Sequence, residues 1–385
     1  MTTGVRSTGN IIANKMVIDM SEKIALLQPN ATPFLSFLKM AKENMEVANN
    51  PKFEWLEDDL GARWDAINNG GGYSDSDTKI VVDNGDYFAV NFVVKVPRTG
   101  EVMLVTIINP DGDNVNELTV VRGFGTTSAA ALVDNDALVI IGNASQEGSG
   151  KLTIKSTSET PKYNFTQIFK TTFGITNTAA ATKMYGGKDI AYQQNKKGAE
   201  HKIDITRSFV FGERKLDTSG TNPKRTTGGL LSFLTENNYD AGGALTKSEF
   251  DNNISEVVFK YGSKEKIMLC SARLLSVIND WAFGKLQINQ DAEEFGLAIF
   301  DYITPHGKYH LMNEQMVLEG AVYGGYGIVI DPANVKYRPL AGRDTKLQTN
   351  IQDNDTDARE DQYLTEAGLQ VSLPKTHAVI TGVTG

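Results

Sequence analysis

The chain has 385 residues, 40 % of them hydrophobic and 22 % charged, with a net charge of −9. Those fractions exclude a mainly disordered protein, and the acidic balance excludes a binder that works by neutralising nucleic-acid phosphates. The one cysteine, Cys270, excludes an internal disulfide, and no stretch approaches the about 18 consecutive apolar residues of a membrane helix or the h-region of a signal peptide.

Residues 1–14 are polar and read as a mobile arm. Met16, Val17, Met20, Ile24 and Leu27 follow at helical spacing until Pro29 stops the helix. Thr32-Pro33 starts a second helix, with Thr32 as N-cap and proline at the first helical position. Phe34, Leu35, Phe37, Leu38 and Met40 make that helix strongly apolar. Such a surface either folds back on the chain's own core or lies against a neighbouring molecule.

Trp55 and Trp64 bracket the acidic Glu57-Asp58-Asp59. From about 78 to 155 the pattern turns to strands, with turn signals about every ten residues. Alternating positions run through Tyr87, Ala89, Asn91, Val93 and Val96. Met103–Ile108, Leu118–Val120 and Leu138–Gly142 follow, the first two separated by Asn109-Pro110-Asp111-Gly112-Asp113. Short strands at this spacing predict a small β-barrel or sandwich. Its ends, Gly70-Gly71-Gly72 and Gly148-Ser149-Gly150, read as hinges, with Gly70, Gly71, Gly72, Gly148 and Gly150 as the flexible points.

Asp189 to Phe211 contains no proline and predicts one helix of roughly 35 Å, closed by Gly212 at the C′ position. Gly198 falls inside it. The next helix opens on a capping box, Thr246 and Glu249, presents Phe250, Ile254, Val257, Val258 and Tyr261, and ends at Gly262. Lys266 to Cys270 reads as a buried strand that holds Cys270 in the core. Ser271 caps a helix carrying Leu274, Leu275, Ile278 and Trp281. Strands follow at Phe295 to Ile303, Tyr309 to Met312 and Gly327 to Ile330, which makes a layered α+β region. The last 45 residues return to strands around Asp353-Asn354-Asp355-Thr356-Asp357.

Chemical motifs are incomplete. Gly123-Phe124-Gly125-Thr126-Thr127-Ser128 has the glycines of a phosphate loop but no following helix and no lysine, so it reads as a hairpin or bulge loop. Asp353, Asp355 and Asp357 open like a calcium loop, but Ala358 and Leu364 stand where glycine and glutamate are needed. His201, His306, His310 and His377 have no zinc spacing, and there is no nucleophile elbow. These readings predict no catalytic residue, no metal and no cofactor.

The most distinctive segments are Gln28-Pro29-Asn30-Ala31-Thr32-Pro33, Arg122-Gly123-Phe124-Gly125-Thr126-Thr127, Tyr163-Asn164-Phe165-Thr166-Gln167-Ile168-Phe169 and Phe211-Gly212-Glu213-Arg214. Tyr363-Leu364-Thr365-Glu366-Ala367-Gly368-Leu369 completes them. In this order the chain, from about Met16 to Thr381, resembles the major capsid proteins of tailed double-stranded DNA phages. Within that Hong Kong 97-type capsid fold it resembles the branch with a β-module inserted in the extended loop. The resemblance implies an α+β fold in five parts. Residues 1–60 would be an N-terminal arm with two short helices, and 61–160 the extended loop with its barrel-like module. Residues 161–227 would be a peripheral domain with a long spine helix, 228–335 an axial domain, and 336–385 a return to the peripheral domain.

The implied function is structural rather than enzymatic: self-assembly into hexamers and pentamers of an icosahedral head shell around packaged viral DNA. The implied partners are other copies, a portal, scaffolding and decoration proteins, and DNA enclosed without sequence-specific binding, with no membrane. The implied location is the virion, after assembly in the host cytoplasm. No long N-terminal scaffolding segment and no isopeptide motif match, so the resemblance implies a separate scaffolding protein or none. Phe34, Phe37 and Leu38 of the arm and Trp64 at the base of the loop are the expected subunit contacts. Phe37→Asp is expected to leave the monomer folded and block assembly. The alternatives are an encapsulin-like compartment shell subunit and a soluble ligand-binding protein or enzyme.

Overall fold

The computed structural model describes residues 32–384 apart from 41, 110–115, 153–155, 183–188, 282–285 and 289–298. The predicted arm at 1–14 and the first helix around Met16–Leu27 lie outside the described residues. The chain divides into a module, Leu56–Thr160, and a main body formed by the residues on either side, up to Trp55 and from Pro161.

Helix α1 (Pro33–Met40) opens the described main body. Thr32 takes the predicted N-cap position, its carbonyl accepting the Ser36 N–H at 3.3 Å. The Phe34 N–H donates to Glu314 Oε2 at 3.0 Å, so a carboxyl far along the chain, rather than Thr32, holds the first free donor. Phe34 and Leu38 are 0 % exposed and sit with Leu35 in the main body's own core. Phe34 and Leu38 are therefore not contact residues in this conformation. Phe37 is half-buried against the same core, so Phe37→Asp would bury a charge at home and destabilise the monomer. Burial of three side chains at about 1.5–3 kcal/mol each outweighs what an eight-residue helix offers alone.

Strand β1 (Lys52–Glu57) leads to the module's six strands: β2 (Trp64–Ala66), β3 (Lys79–Val81), β4 (Phe92–Lys95), β5 (Val102–Ile108), β6 (Glu117–Val121) and β7 (Ala137–Asn143). They pair in the order β2-β7-β4-β5-β6-β3. Just past β2 and β3, Ile67 bridges Val82, and the Asn68 and Asp83 N–H groups donate to Val81 and Ala66 carbonyls at 3.0 Å. That last rung closes the ring, so the module is a small barrel and its edge strands are covered. Alternation places Val94, Met103, Val105, Leu118, Val120, Leu138 and Ile140 inside.

Gly70, Gly71 and Gly72 are not a hinge between bodies. They form a tight turn inside the barrel, with the Gly72 N–H donating to Asn69 O at 2.8 Å. Gly72 has φ +68°, and a Cβ there would lie 2.5 Å from the Leu132 carbonyl. Gly148 and Gly150 lie in an exposed loop between β7 and β8 (Thr160–Phe165), with open space around each. β1 and β8 pair as a two-stranded sheet.

After β8 come β9 (Gln167–Thr176), α2 (Asn177–Ala181) and α3 (Asp189–Phe211), the last matching the predicted span. Helix α3 packs on β9 and on β20 (Ala358–Val371). Ile205, Phe209 and Val210 give its second half an apolar face. Its first half relies on a close approach: a Cβ on Gly198 would lie 3.2 Å from the Tyr363 hydroxyl, which donates to Gln194 O. Glycine inside the helix is thus a packing requirement. Gly212 is also a close-approach residue and not a left-handed cap. Its φ is not positive, and a Cβ there would lie 2.5 Å from Thr227 O.

The hairpin β10 (Lys215–Asp217) and β11 (Lys224–Thr226) follows, then α4 (Leu230–Phe233), β12 (Asn238–Gly243) and α5 (Lys247–Phe250). The predicted capping box is present: Thr246 Oγ1 accepts from Glu249 N, and Thr246 N donates to Glu249 Oε2. A π-helical turn (Asp251–Ser255) joins α5 to α6 (Glu256–Val258). The extra residue per turn keeps Phe250, Ile254 and Val258 buried and leaves Val257 and Tyr261 exposed.

Next are β13 (Glu265–Cys270), α7 (Ala272–Trp281), β14 (Leu286–Ile288), β15 (Ile299–Ile303), β16 (Lys308–Asn313), α8 (Gly320–Tyr323) and β17 (Gly327–Ile330). Ser271 Oγ accepts the Leu274 N–H at 3.2 Å, as predicted for a cap. β18 (Val335–Pro339), β19 (Lys346–Gln348), β20 and β21 (Ala378–Val383) end the chain.

Two sheets organise the main body. β18 and β19 pair along one edge of β20 and β9 along the other, making four strands under α3. The larger sheet runs β12-β21-β17-β13-β16-β15-β14. Its β13 and β17 send Ile267, Leu269, Ile328 and Ile330 into one core and Met268, Cys270 and Val329 into another. Burial on both faces explains why these strands are apolar runs rather than alternations. β21 belongs to this larger sheet, parallel to β12 and antiparallel to β17. The predicted grouping of 336–385 as one return segment therefore stops at β20.

Candidate functional site

The buried polar groups of the main body serve its packing. Lys266 is 0 % exposed; its Nζ donates to Asp331 Oδ2 at 2.9 Å, Thr376 O at 3.0 Å and Tyr261 O at 3.1 Å. His377 Nδ1 accepts the Asp331 N–H at 3.0 Å, and its Nε2 lies 3.0 Å from Ser372 O. That pattern fixes a neutral Nε2–H tautomer, and burial holds His377 down to about 4. His201 is buried between the Thr171 and Thr365 hydroxyls, at 2.9 and 2.8 Å, and burial lowers it to about 4 as well. Burial also pushes the Cys270 thiol up, which leaves it a core residue and not a nucleophile.

Glu314 combines a buried oxygen that has no hydrogen-bond partner with a strongly raised pKa. Oε2 takes the Phe34 N–H, while Oε1 is buried and unpaired. Burial raises its pKa from 4.5 to about 8. A raised carboxyl favours the folded state only while protonated, so stability falls as pH rises from about 4.5 to about 8 and is level above. Glu314→Gln keeps the acceptor for Phe34 and removes this slope. In denaturant titrations, the variant should gain on the parent by about 1–3 kcal/mol between pH 4.5 and 8. Parallel curves at the two pH values would refute the assignment.

The sequence motifs resolve as structure. Glu101, 1 % exposed, accepts from Arg122 Nε at 2.7 Å and Nη2 at 2.9 Å, and from Gly123 and Ala130 N–H at 3.1 Å. Burial pushes Glu101 up, but these hydrogen bonds outweigh it and hold its carboxyl below the ordinary range. The glycine run at 123–128 is the loop these bonds pin, with Gly123 and Gly125 at φ +58° and +80°. Among the described residues no group of three His, Cys, Asp or Glu is placed to hold a metal. Asp357 instead accepts from Asn177 Nδ2 at 2.6 Å.

What remains is surface. Trp64 is 60 % exposed on β2. It faces Val139 across the β2–β7 ladder, two residues from Ile141, which is 58 % exposed. These side chains point out of the barrel, since Leu138 and Ile140 between them point in. Leu60, 99 % exposed, lies in the same module. A concavity of about 490 Å3, lined by residues including Phe92, Ile141 and Leu152, adjoins this face. An apolar outer face on a barrel with a full core is the mark of a contact surface. Of the expected contact residues, the structure leaves Trp64 available and withdraws Phe34 and Leu38. Sequence reading missed Ile141, though Leu138-Val139-Ile140-Ile141 is apolar at both parities, which a one-faced strand does not require.

The SU10 major capsid protein family model matches residues 1–384 of the chain. The major capsid protein of Pseudomonas phage PaMx41 is 24 % identical over 333 residues, covering 80 % of this chain and 78 % of that one. The major capsid protein of Escherichia phage Phieco32 is 30 % identical over 142 residues, 32 % of this chain and 38 % of its own. A solved structure from Mycobacterium phage Bobi shares the fold with a TM-score of 0.52 at 8 % identity, covering 98 % of this chain and 99 % of that one.

Proposed function

The chain belongs to the SU10 major capsid protein family, and from that premise we propose that its copies close as hexamers and pentamers through the exposed barrel face around Trp64. As a phage major capsid protein it is a structural protein that builds the icosahedral shell, and not an enzyme. The four-stranded sheet with α3 would be the peripheral part and the seven-stranded sheet the axial part. Gly148 and Gly150 would let the module settle differently in five- and six-membered rings. The shell would enclose packaged double-stranded DNA without sequence-specific contacts, with a portal and with scaffolding and decoration proteins as further partners, and would assemble in the host cytoplasm.

The observation that carries this reading is the outward pair Trp64 and Ile141 on a module whose own core is complete without them. Weak contacts of this kind gain strength by repetition around a closed shell. The test is negative-stain microscopy with light scattering on the recombinant chain and on Trp64→Asp. The parent should give closed shells or rings. Trp64→Asp should keep the parent's circular dichroism and melting and lose at least about tenfold in assembled yield. A parent that stays a monomer or dimer at every concentration, salt and scaffold tried would defeat the proposal. A Trp64→Asp chain that assembles normally would remove this face from it.

A further inference from the structure

Asparagine followed by glycine is the pair in which a backbone nitrogen most easily attacks a side-chain amide, because glycine has no Cβ to crowd the approach. The chain has two such pairs, Asn69-Gly70 and Asn84-Gly85, both in the barrel module. The fold treats them oppositely.

Asn84-Gly85 is locked. The Gly85 N–H, the group that would attack, is buried and donates to Asn116 Oδ1 at 2.9 Å. Asp65 holds the asparagine, accepting from Asn84 N at 3.0 Å and from Asn84 Nδ2 at 3.1 Å. Asn69-Gly70 is set for attack. Gly70 is exposed, and its N–H makes no hydrogen bond among the described residues. Asn69 Oδ1 accepts the Gly71 N–H at 3.1 Å, which folds the amide back over the Gly70 nitrogen. The same bond polarises the amide carbonyl and stabilises the oxyanion that forms on attack.

We propose that Asn69 deamidates spontaneously through a cyclic imide with Gly70. The Gly70 nitrogen bonds to Asn69 Cγ and gives up its proton. The Cγ–Nδ2 bond breaks, and Nδ2 leaves with that proton as ammonia. Water then opens the ring at either carbonyl. Opening at Cγ leaves aspartate at 69, and opening at the backbone carbonyl leaves isoaspartate, with an extra carbon in the main chain.

Either product disturbs the turn. Asn69 Nδ2 donates to Gly72 O at 2.8 Å, and a carboxylate has no proton to give that carbonyl. Asp134 Oδ1 already holds the Asn69 N–H at 2.8 Å, so the new charge stands beside an existing one. Isoaspartate also lengthens the chain next to Tyr73, whose N–H and carbonyl pair with Leu132 at 2.8 and 2.9 Å. Residues 56–160 hold 16 Asp and Glu against 7 Lys and Arg, a surplus equal to the chain's whole net charge of −9. A further negative charge adds to that self-repulsion.

The experiment incubates the full chain in mildly alkaline buffer below its melting temperature. Peptide mass spectrometry follows both sites, and isoaspartyl methyltransferase labelling counts isoaspartate. Residue 69 should convert at least about tenfold faster than residue 84, the worth of one hydrogen bond that must break before attack. Gly70→Ala keeps the turn, because φ there is not positive and a Cβ meets open space, and it should slow conversion at 69 by a similar factor. Asn69→Asp should lower hydrogen-exchange protection of the Tyr73 and Leu132 amides several-fold and leave β13 and β17 unchanged. Equal rates at the two sites, or an Asn69 that stays an amide, overturn the proposal. Conversion as fast in Gly70→Ala as in the parent overturns the imide route in favour of direct attack by water. Unchanged protection in Asn69→Asp overturns the claimed effect on the turn.

Discussion

Lys266→Met is expected to lower the unfolding free energy of the main body by about 3–5 kcal/mol. Lys266 reaches no water, and its ammonium joins three segments: the Asp331 carboxylate, the Tyr261 carbonyl and the Thr376 carbonyl. A methionine fills the space and donates nothing. Asp331 is then left buried with only backbone donors, the Ser263 N–H at 2.9 Å and the Ala333 N–H at 3.2 Å. An unmatched buried carboxylate costs more than the pair contributes, which is why breaking one partner is worse than replacing both. Against a total stability of about 5–15 kcal/mol, this loss is large enough to empty the soluble fraction at 37 °C. Lys266→Met with Asp331→Asn should recover part of it, since asparagine removes the buried charge, although its single oxygen keeps only one of the two N–H groups, which bind different oxygens of Asp331. Denaturant titration gives the numbers. A single-variant loss under about 1 kcal/mol would show that water or backbone movement replaces the ammonium.

How much of this was legible beforehand depends on whether the cause is local. Helix α3 was readable to both ends because proline is absent from Asp189 to Phe211 and Gly212 follows. The reason for Gly212 was not readable. It permits contact with the 227–229 segment, and the Gly229 N–H donates to Gly212 O at 2.7 Å. The distinctive Tyr163-Asn164-Phe165 run proves to be a junction. Asn164, fully buried, donates to Thr227 Oγ1, Gly228 O and Leu369 O, and accepts from Gly228 N–H. Three segments that looked distinctive separately are thus joined through residues 227–229 in one hydrogen-bonded knot, which no local periodicity discloses. The arm helix was open for a related reason. Its apolar surface allowed either folding back on the chain's own core or contact with a neighbour, and Glu314, 280 residues away from Phe34, caps that helix into the core. The acidic module was visible in the counts, but only the structural boundary at Leu56–Thr160 shows that it holds the entire net charge.

Arg122→Ala should unfold the module and leave the main body standing. Arg122 is 5 % exposed at its side chain, and besides the paired bonds to Glu101 it donates to the carbonyls of Ser74, Asp77 and Ala130. One guanidinium therefore fastens the segments around Ser74, Glu101 and Ala130 to the end of β6, and alanine frees all of them together. The expected cost is about 3–5 kcal/mol, because Glu101 keeps its charge, its burial and only two N–H donors. A barrel of this size, with a single core of short strands, has little reserve to absorb it. Hydrogen exchange is the discriminating measurement. Amides from 56 to 160 should lose protection in Arg122→Ala while those of β13, β17 and α3 keep theirs. Arg122→Lys should fall between, near about 2 kcal/mol, since a point charge still neutralises Glu101 but cannot make the paired bonds or span the three carbonyls. If the module's protection were unchanged in Arg122→Ala, the barrel's hydrophobic interior alone would be holding it closed. If protection were lost throughout the chain, the module and the main body would unfold as one cooperative unit, and the boundary at Leu56 and Thr160 would have no energetic meaning.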